Sequence, residues 1–145
     1  MNRKHLSLCA AALAALLLNA CETVGTGSGS NWHNIGTISN GNIKVAVDKN
    51  SIRKNGNLVT FRDKKTVAKM KEERFVNTPA YKTALADWEI HCANKTYRLT
   101  TLQLIDERGQ TVSSQRYSAV NLRPMSVMGG TITEKQYELV CGHKL

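Results

Sequence analysis

The sequence predicts an α+β domain in which about six antiparallel strands form one sheet and a C-terminal helix packs on one face, held by a disulfide. Three observations lead to this prediction. Apolar and polar residues alternate in several short stretches, as in half-buried strands. Asn-Gly pairs, which favour tight turns, follow two of the early stretches at 40–41 and 55–56. One stretch with helical spacing comes last, and it ends in Cys141 and Gly142.

The first twenty residues are predicted to be a lipoprotein signal peptide. A basic start is followed by an almost wholly apolar run at 6–18, and LNAC at 18–21 places small residues before a cysteine. The run is shorter than the roughly 20 apolar residues that cross a bilayer. LNAC resembles the lipobox of bacterial lipoproteins, which implies cleavage before Cys21 and acylation of Cys21. The Glu22 that follows implies sorting to the outer membrane.

Residues 21–30 are predicted to be the acylated cysteine and a tether. They contain GTGSGS, a composition that behaves as a flexible coil and buries no core. Such a tether has a root-mean-square reach of roughly 17 Å. The folded domain is therefore expected to span 31–145.

The first half of this domain is expected to supply three strands. Residues 32–38 form the first, the alternation that starts at Ile43 and ends at Asp48 forms the second, and 58–67 form the third. Residues 69–79 have no clean period and end near a proline, so we expect a mobile or insertion-like connection with at most a short helix.

The stretch 85–105 is predicted to be the central hairpin. Trp88 is expected at the core, on the same strand face as Cys92. Apolar residues change parity along the returning strand, which predicts a β-bulge near Thr100 and Thr101. A sixth strand is predicted at 111–118.

A helix is predicted to begin after Thr131. Thr131 and Glu134 fit a capping box, in which each side chain bonds a backbone N–H of the first turn. Tyr137 and Val140 share one helical face, and Gly142 is placed to end the helix.

Two cysteines remain once the signal peptide and the lipid-carrying Cys21 are set aside. In an oxidising compartment Cys92 and Cys141 are expected to form a disulfide. A zinc site made by both cysteines with His91 and His143 is the alternative. Neighbouring strand residues point to opposite faces, which disfavours His91 and Cys92 as ligands of one ion.

The mature chain is basic. From residue 21 onward it carries 18 Lys and Arg against 11 Asp and Glu, and 44–74 alone holds ten basic and four acidic residues. Such an excess favours anionic partners, although cations also protect exposed strands from pairing with other chains. The candidate ligand-binding residues are Arg62, Lys64, Lys65, Lys69, Lys71 and Arg74. Reversing four of them, Lys64, Lys65, Lys69 and Lys71, is expected to abolish binding with little change in stability.

No catalytic constellation is found in the sequence. The histidines are scattered, and the paired carboxylates at 72–73 and 106–107 lie in turn or loop composition. We therefore expect no enzyme, cofactor or metal, and no nucleic-acid partner. A homodimer formed through an exposed sheet edge is left open.

Several pieces together resemble the surface-adhesin protein E family of Gram-negative lipoproteins. They are Trp32, VAVDKNSIRKNGNLVTF at 45–61, DWEIHCANKTYRL at 87–99 and YELVCG at 137–142. The resemblance implies a six-stranded antiparallel sheet with a helix held by the disulfide. It also implies an exposed lipoprotein that binds host matrix or plasma proteins such as vitronectin, laminin and plasminogen.

Two functions therefore remain for the structure to address. The first is an outer-membrane-anchored adhesin displayed on the cell surface. The second is a lipoprotein that faces the periplasm, such as an inhibitor of an envelope enzyme or an assembly factor. Folds carry over between relatives more readily than functions do, because sites are grafted on folds.

Overall fold

A computed structural model describes residues 29–145. The predicted signal peptide, the predicted acylation site Cys21 and most of the predicted tether lie outside these residues. The division of the chain at residues 20 and 30 therefore stays a prediction. The described elements are β1 Trp32–Ile38, β2 Ile43–Asn55, β3 Leu58–Val67, a short 3-10 helix Met70–Glu72, β4 Thr83–His91, β5 Thr96–Ile105, β6 Thr111–Arg116, β7 Met125–Ser126 and α1 Ile132–Cys141.

The sheet is an antiparallel meander with strand order β1-β2-β3-β4-β5-β6. The predicted fold class, including the helix and the disulfide, is confirmed. The two-residue β7 also pairs with β5, through Thr96 and Tyr97, beyond the part of β5 that pairs with β6. A strand of two residues leaves no alternation in the sequence, so it was not predicted.

The second strand is longer than predicted. It continues beyond Asp48 to Asn55, and the pairing with β3 is irregular between Asp48 and Arg53. The hydroxyl of Ser51 fills part of this irregular stretch, because it accepts a hydrogen bond from the backbone N–H of Arg62 at 2.8 Å. Side-chain bonding replaces strand pairing here, and alternation alone does not reveal that.

The core lies between the sheet and α1, on what we call the covered face. Tyr137 and Val140 from the helix are fully buried there. They pack against apolar side chains that alternate along the strands, which is how a half-buried sheet covers one face. The sheet and loop residues of this cluster are Val47, Val59, Phe61, Ile90 and Val127. Trp88, which was expected at the core, packs against the cluster and is only partly buried. The aromatic ring at the centre of the cluster is that of the fully buried Tyr137.

The predicted β-bulge is present. Asp87 pairs with Thr101 and Trp88 pairs with Leu99, which leaves Thr100 as the extra residue of β5. Because the bulge shifts the alternation by one residue, Leu99 before it and Leu104 after it both point to the covered face.

The helix begins and ends as the sequence predicts. The hydroxyl of Thr131 accepts the N–H of Glu134 at 3.3 Å, and Gly142 ends the helix with a φ of +80°. The carboxylate of Glu134 accepts the N–H of Gly130 at 2.7 Å, one residue earlier than in a standard capping box.

The disulfide and a buried hydroxyl hold the end of α1 on the sheet. Cys92 and Cys141 are bonded, with their Cα atoms 5.8 Å apart. Next to them, the hydroxyl of Tyr137 donates to the carbonyl of Cys92 at 2.7 Å. Both cysteine sulfurs are bonded to one another, so they are not thiolate ligands of the zinc site considered above.

The start of α1 approaches β1 closely at Gly36. This glycine has a φ of +137° and lies next to a register shift in β1. A Cβ at this position would lie 3.1 Å from Nζ of Lys135 and 3.5 Å from Cδ1 of Ile132. The glycine therefore allows both the backbone conformation and the contact with the helix.

Candidate ligand-binding surface

The sheet face opposite α1, which we call the open face, carries no helix among residues 29–145. It displays the strand residues that alternate with those of the core. Nearly all of them are exposed or half-buried, and Asp48 is the buried exception. Polar and charged residues predominate, among them Asn34, Lys44, Asp48, Thr60, Arg62, Lys64, Asp87, Glu89, Arg98, Thr101, Gln103 and Arg116.

Lys64 and Trp32 form a cation–π pair on this face. Nζ of Lys64 lies 4.3 Å from the centroid of the Trp32 ring. The two residues belong to β3 and β1, and Ala46 of β2 pairs with Lys64 and lies between those strands. The single methyl group of Ala46 leaves room for the lysine to reach across. An aromatic ring next to an ammonium group at the rim of a sheet can contact both apolar and anionic parts of a partner.

Arg62 and Asp87 form a two-point ion pair at the centre of the open face. The Nε–Oδ1 and Nη2–Oδ2 distances are 2.7 and 3.0 Å. The hydrogen bond from Arg62 holds the pKa of Asp87 below its usual value, and a second bond from the hydroxyl of Thr101 acts in the same direction. The same pairing raises the pKa of Arg62. The guanidinium group of Arg62 is therefore engaged mainly in its ion pair with Asp87.

A second ion pair lies further along the open face. Nη2 of Arg98 lies 2.7 Å from Oε2 of Glu89, and both side chains are mostly buried. Arg116 on β6 is exposed and has no carboxylate within 4 Å in the part of the chain that the structure describes. It flanks a shallow depression whose other lining residues include Arg62, Asp87, Thr101, Gln103 and Ser114.

Lys65 is not the exposed cation that the sequence analysis expected. It lies inside β3 on the covered face, where its Nζ is 2.8 Å from Oδ2 of the fully buried Asp63. The same oxygen accepts a hydrogen bond from Nε2 of Gln136 at 2.7 Å, so the carboxylate links the sheet to the helix. The expectation that reversing Lys65 leaves stability unchanged does not fit this arrangement.

Lys69, Lys71 and Arg74 lie in the connection between β3 and β4 and are exposed. Lys69 forms an ion pair with Glu72 at 3.1 Å. Asn42 ties the connection to the β1–β2 turn, because its side chain bonds both the N–H and the C=O of Lys69.

Further along the connection, Glu73 and an aromatic pair make additional contacts. The carboxylate of Glu73 accepts the hydroxyl of Ser39 from the β1–β2 turn at 2.9 Å. The rings of Phe75 and Tyr81 meet edge to face, with centroids 5.1 Å apart. Partial burial, followed by the charge of Glu73, raises the pKa of Tyr81.

The six candidate residues therefore occupy three places. Arg62 and Lys64 lie together on the open face, Lys65 lies on the covered face, and the other three lie in the connection. Their role in binding stays a prediction. Sequence reasoning did not find Trp32 and Asp87 as their partners, because both contacts join different strands and depend on the register. The acidic residue in DWEIHC and the early tryptophan were the only signals available.

The described histidines and carboxylates do not assemble into a reactive or metal-binding cluster. No group of three or more potential metal ligands is found within residues 29–145. His91 receives a backbone hydrogen bond from Asn94 at its Nδ1, at 3.2 Å, which indicates a role in the β4–β5 turn. Within the same residues no helix has the length and apolar character to cross a membrane.

A sequence model described as surface-adhesin protein E matches residues 32–142. This match spans the described sheet, the helix and both disulfide cysteines. The chain belongs to the surface-adhesin protein E family. The resemblance inferred from the sequence is thereby confirmed, and membership of this family supports a surface adhesin.

Solved structures of Haemophilus influenzae protein E have the same fold. Crystal form II of that protein is 17% identical, with a TM-score of 0.52, and the match covers 75% of this chain and 87% of that chain. A second structure is also 17% identical, with a TM-score of 0.51, and the match covers 75% of this chain and 83% of that one. A third structure, protein E from non-typeable Haemophilus influenzae, is 15% identical, with a TM-score of 0.50, and the match covers 81% of this chain and 79% of that one. No curated protein sequence matches this chain.

Proposed function

We propose that this adhesin is a lipoprotein, anchored in the outer membrane through acylated Cys21, that binds host matrix or plasma proteins of the vitronectin, laminin and plasminogen class. The open face is the observation that carries the proposal. It leaves Arg116 exposed and Lys64 and Trp32 partly exposed on one side of the sheet. A surface adhesin needs such an accessible face.

Charge and composition support the choice of partner. The exposed cations of the β3–β4 connection extend the basic character of Lys64, which suits acidic segments of large extracellular proteins. Exposed ammonium groups attract such segments weakly and in a salt-dependent way. Trp32 adds an aromatic surface, and aromatic residues are enriched where protein interfaces bind strongly.

Two measurements test this proposal: whether the domain is exposed on the outside of the cell, and whether acylated Cys21 anchors it in the membrane. Protease treatment of intact cells should remove the domain if it faces outward. The mass of the processed protein should correspond to a chain that begins at an acylated Cys21. Cys21→Ala should yield an unprocessed or soluble form in place of the detergent-partitioning protein.

Opposite results separate the two candidate functions. A domain protected in intact cells and digested only after the outer membrane is opened would favour the periplasmic role over adhesion. An unchanged mass and unchanged detergent partitioning of the Cys21→Ala variant would contradict the lipid anchor. Antibody labelling of intact cells provides a second, protease-independent reading of the same topology.

A further inference from the structure

The chain enters the described domain beside the hairpin that β2 and β3 form. The N–H of Asn31 donates to Oδ1 of Asp48 at 2.8 Å, and the N–H of Lys49 donates to the carbonyl of Asn31 at 2.9 Å. One step earlier, Nδ2 of Asn50 donates to the carbonyl of Gly29 at 2.6 Å. These three hydrogen bonds fix the point at which the N-terminal segment meets the sheet.

The part of this hairpin beyond Asp48 forms an arm. Pairing between β1 and β2 ends at Asp48, so residues 49–58 have no β1 partner alongside them. We call 49–58 the basic arm. Its three cations, Lys49, Arg53 and Lys54, are exposed and have no carboxylate within 4 Å among the described residues. The sequence contains no Asp or Glu between Asp48 and Asp63.

A neighbouring turn adds to the charge at this end. The N–H of Cys92 donates to the carbonyl of Asn57 at 2.8 Å, which places the β4–β5 turn next to the arm. That turn carries the exposed Lys95. Between residues 90 and 105 the sequence again contains no acidic residue. The cations at this end are thus accompanied by no acidic residue from either hairpin tip.

The opposite end of the sheet has a different charge balance. Its connection 68–82 and the hairpin turn 106–110 carry five Lys and Arg and four Asp and Glu. The cations there are interspersed with carboxylates, as in the ion pair of Lys69 and Glu72. The uncompensated charge is therefore concentrated at the end where the N-terminal chain enters.

We propose that the basic arm, with Lys95 beside it, binds the anionic phosphate headgroups of the membrane that holds the protein. This inference rests on the anchoring through Cys21 proposed above. From Cys21 to Gly29 there are eight peptide steps, which span at most about 29 Å even when fully extended. The arm therefore stays within about one domain width of the headgroups. Each Lys or Arg close to an anionic surface strengthens the association about fivefold.

Contact through the arm gives the domain an orientation. With the basic arm on the headgroups, the β3–β4 connection points away from the membrane, because it lies at the other end of the strands. Lys69, Lys71 and Arg74 are then presented outward. The two basic regions thus have different partners, a lipid surface near the anchor and a soluble protein at the far end.

The test uses the processed protein in vesicles of phosphatidylcholine, with and without phosphatidylglycerol. Hydrogen exchange of the amides at 49–58 is measured in both. Three proteins are compared: the wild type, the arm variant Lys49→Glu with Arg53→Glu and Lys54→Glu, and a control with the same charge change, Lys69→Glu with Lys71→Glu and Arg74→Glu. Melting curves establish that all three proteins are folded. A second arm variant with Gln at the same three positions removes the positive charges without introducing negative ones, and it should lose the same protection from exchange.

We expect the arm amides of the wild type and the control to exchange more slowly in the anionic vesicles, and the arm variant to lose this slowing. The slowing should also disappear as added salt shortens the Debye length from about 10 Å at 0.1 M to about 3 Å at 1 M. Equal exchange in both kinds of vesicle would overturn the proposal, as would slowing that persists in the arm variant. Protection of the arm by vitronectin or laminin in neutral vesicles would overturn it in favour of a protein partner.

The same preparations report separately on the proposed function. Mass spectrometry shows whether Cys21 is acylated, and binding of matrix proteins is measured on the control variant. A negative outcome in either of these two assays would count against the proposed function. The comparison between the two vesicle compositions tests the binding of the basic arm to headgroups separately.

Discussion

The ammonium group of Lys65 lies 2.8 Å from Oδ2 of Asp63, on the face of the sheet that the helix covers. Asp63 is fully buried, and the Lys65 side chain is 20% exposed. A buried carboxylate is costly unless an opposite charge and hydrogen bonds accompany it. Lys65 and Gln136 supply both, so this lysine contributes to folding.

We expect Lys65→Glu to destabilise the domain by about 3 kcal/mol or more, because it removes the partner of a buried charge and adds a second carboxylate beside it. Lys64→Glu is the control, one residue away on the open face. It should cost less than about 1 kcal/mol, the size of a surface cation–π contact. Denaturant unfolding of both variants measures the difference, and equal midpoints would contradict the structural role of Lys65.

Removing the disulfide should have an effect of similar size. Cys92→Ser with Cys141→Ser is expected to lower the free energy of unfolding by roughly 2–5 kcal/mol, as in other small disulfide-bonded domains. Reduction of the wild type should reproduce most of this loss. Tyr137→Phe, which keeps the buried ring and removes only the hydrogen bond to Cys92, should cost about 1 kcal/mol. Two free thiols in protein isolated from the cell envelope would contradict the bond itself.

The ion pair of Arg62 and Asp87 should make stability depend on pH. The pKa of Asp87 is lowered in the folded state, so its contribution is present above the unfolded value of about 3.9 and is lost as the pH falls through the folded value. Asp87→Asn should reduce stability near neutral pH by less than about 1 kcal/mol, because solvent screens the pair. The difference from the wild type should shrink below pH 4. A difference that is constant between pH 7 and 2.5 would exclude this origin.

Binding to host proteins should depend on the cations of the open face and the connection. Lys64→Glu with Lys69→Glu and Lys71→Glu should strongly weaken binding to vitronectin, laminin, plasminogen or heparin, with little change in melting temperature. Lys65 is left unchanged in this variant because of its contact with Asp63. Wild-type binding should also fall as salt is raised. Surface-based binding assays over a range of salt concentrations measure both effects.

The matched control for that variant reverses Lys49, Arg53 and Lys54 and changes the net charge by the same amount. It should retain most of the binding to soluble ligands. If both variants bind equally well in high salt, the cations of this region do not form the site, and the hairpin from Tyr81 to Leu99 becomes the next surface to test.

Most features predicted correctly from the sequence are local, and the disulfide, which joins residues 49 positions apart, is the exception. Thr131 and Gly142 act on backbone groups within one helical turn, and the parity change around Thr100 is visible within a single strand. The cysteine pair followed from elimination, because only Cys92 and Cys141 remained. Local patterns of this kind survive folding largely unchanged.

The features that were missed depend on residues far apart in the chain. Gln136 meets Asp63 across 73 positions, and Lys64 reaches Trp32 across the intervening strand β2. The sequence analysis grouped Lys65 with the exposed cations, although period-two alternation puts neighbouring strand residues on opposite faces. Alternation alone does not show which face the helix covers, or that the buried carboxylate of Asp63 lies beside Lys65 on that face. The strand register and the position of the helix determine these contacts, and neither can be inferred from a short segment of the sequence.

The order of the strands also bears on how fast the chain folds. Each of the first five strands pairs with the next one along the chain, so the sheet can grow by adding one hairpin at a time, and the connection 68–82 is the longest loop that these hairpins close. Pairing between strands that are neighbours in the chain keeps contacts more local than crossover connections would, and more local contacts favour faster folding. The two-residue β7 and α1 must return over longer stretches to reach the strands, and Cys141 reaches Cys92 across 49 positions. We therefore expect refolding of the reduced protein to show early strand pairing and late docking of the helix, which stopped-flow fluorescence of Trp88 together with far-ultraviolet circular dichroism can follow.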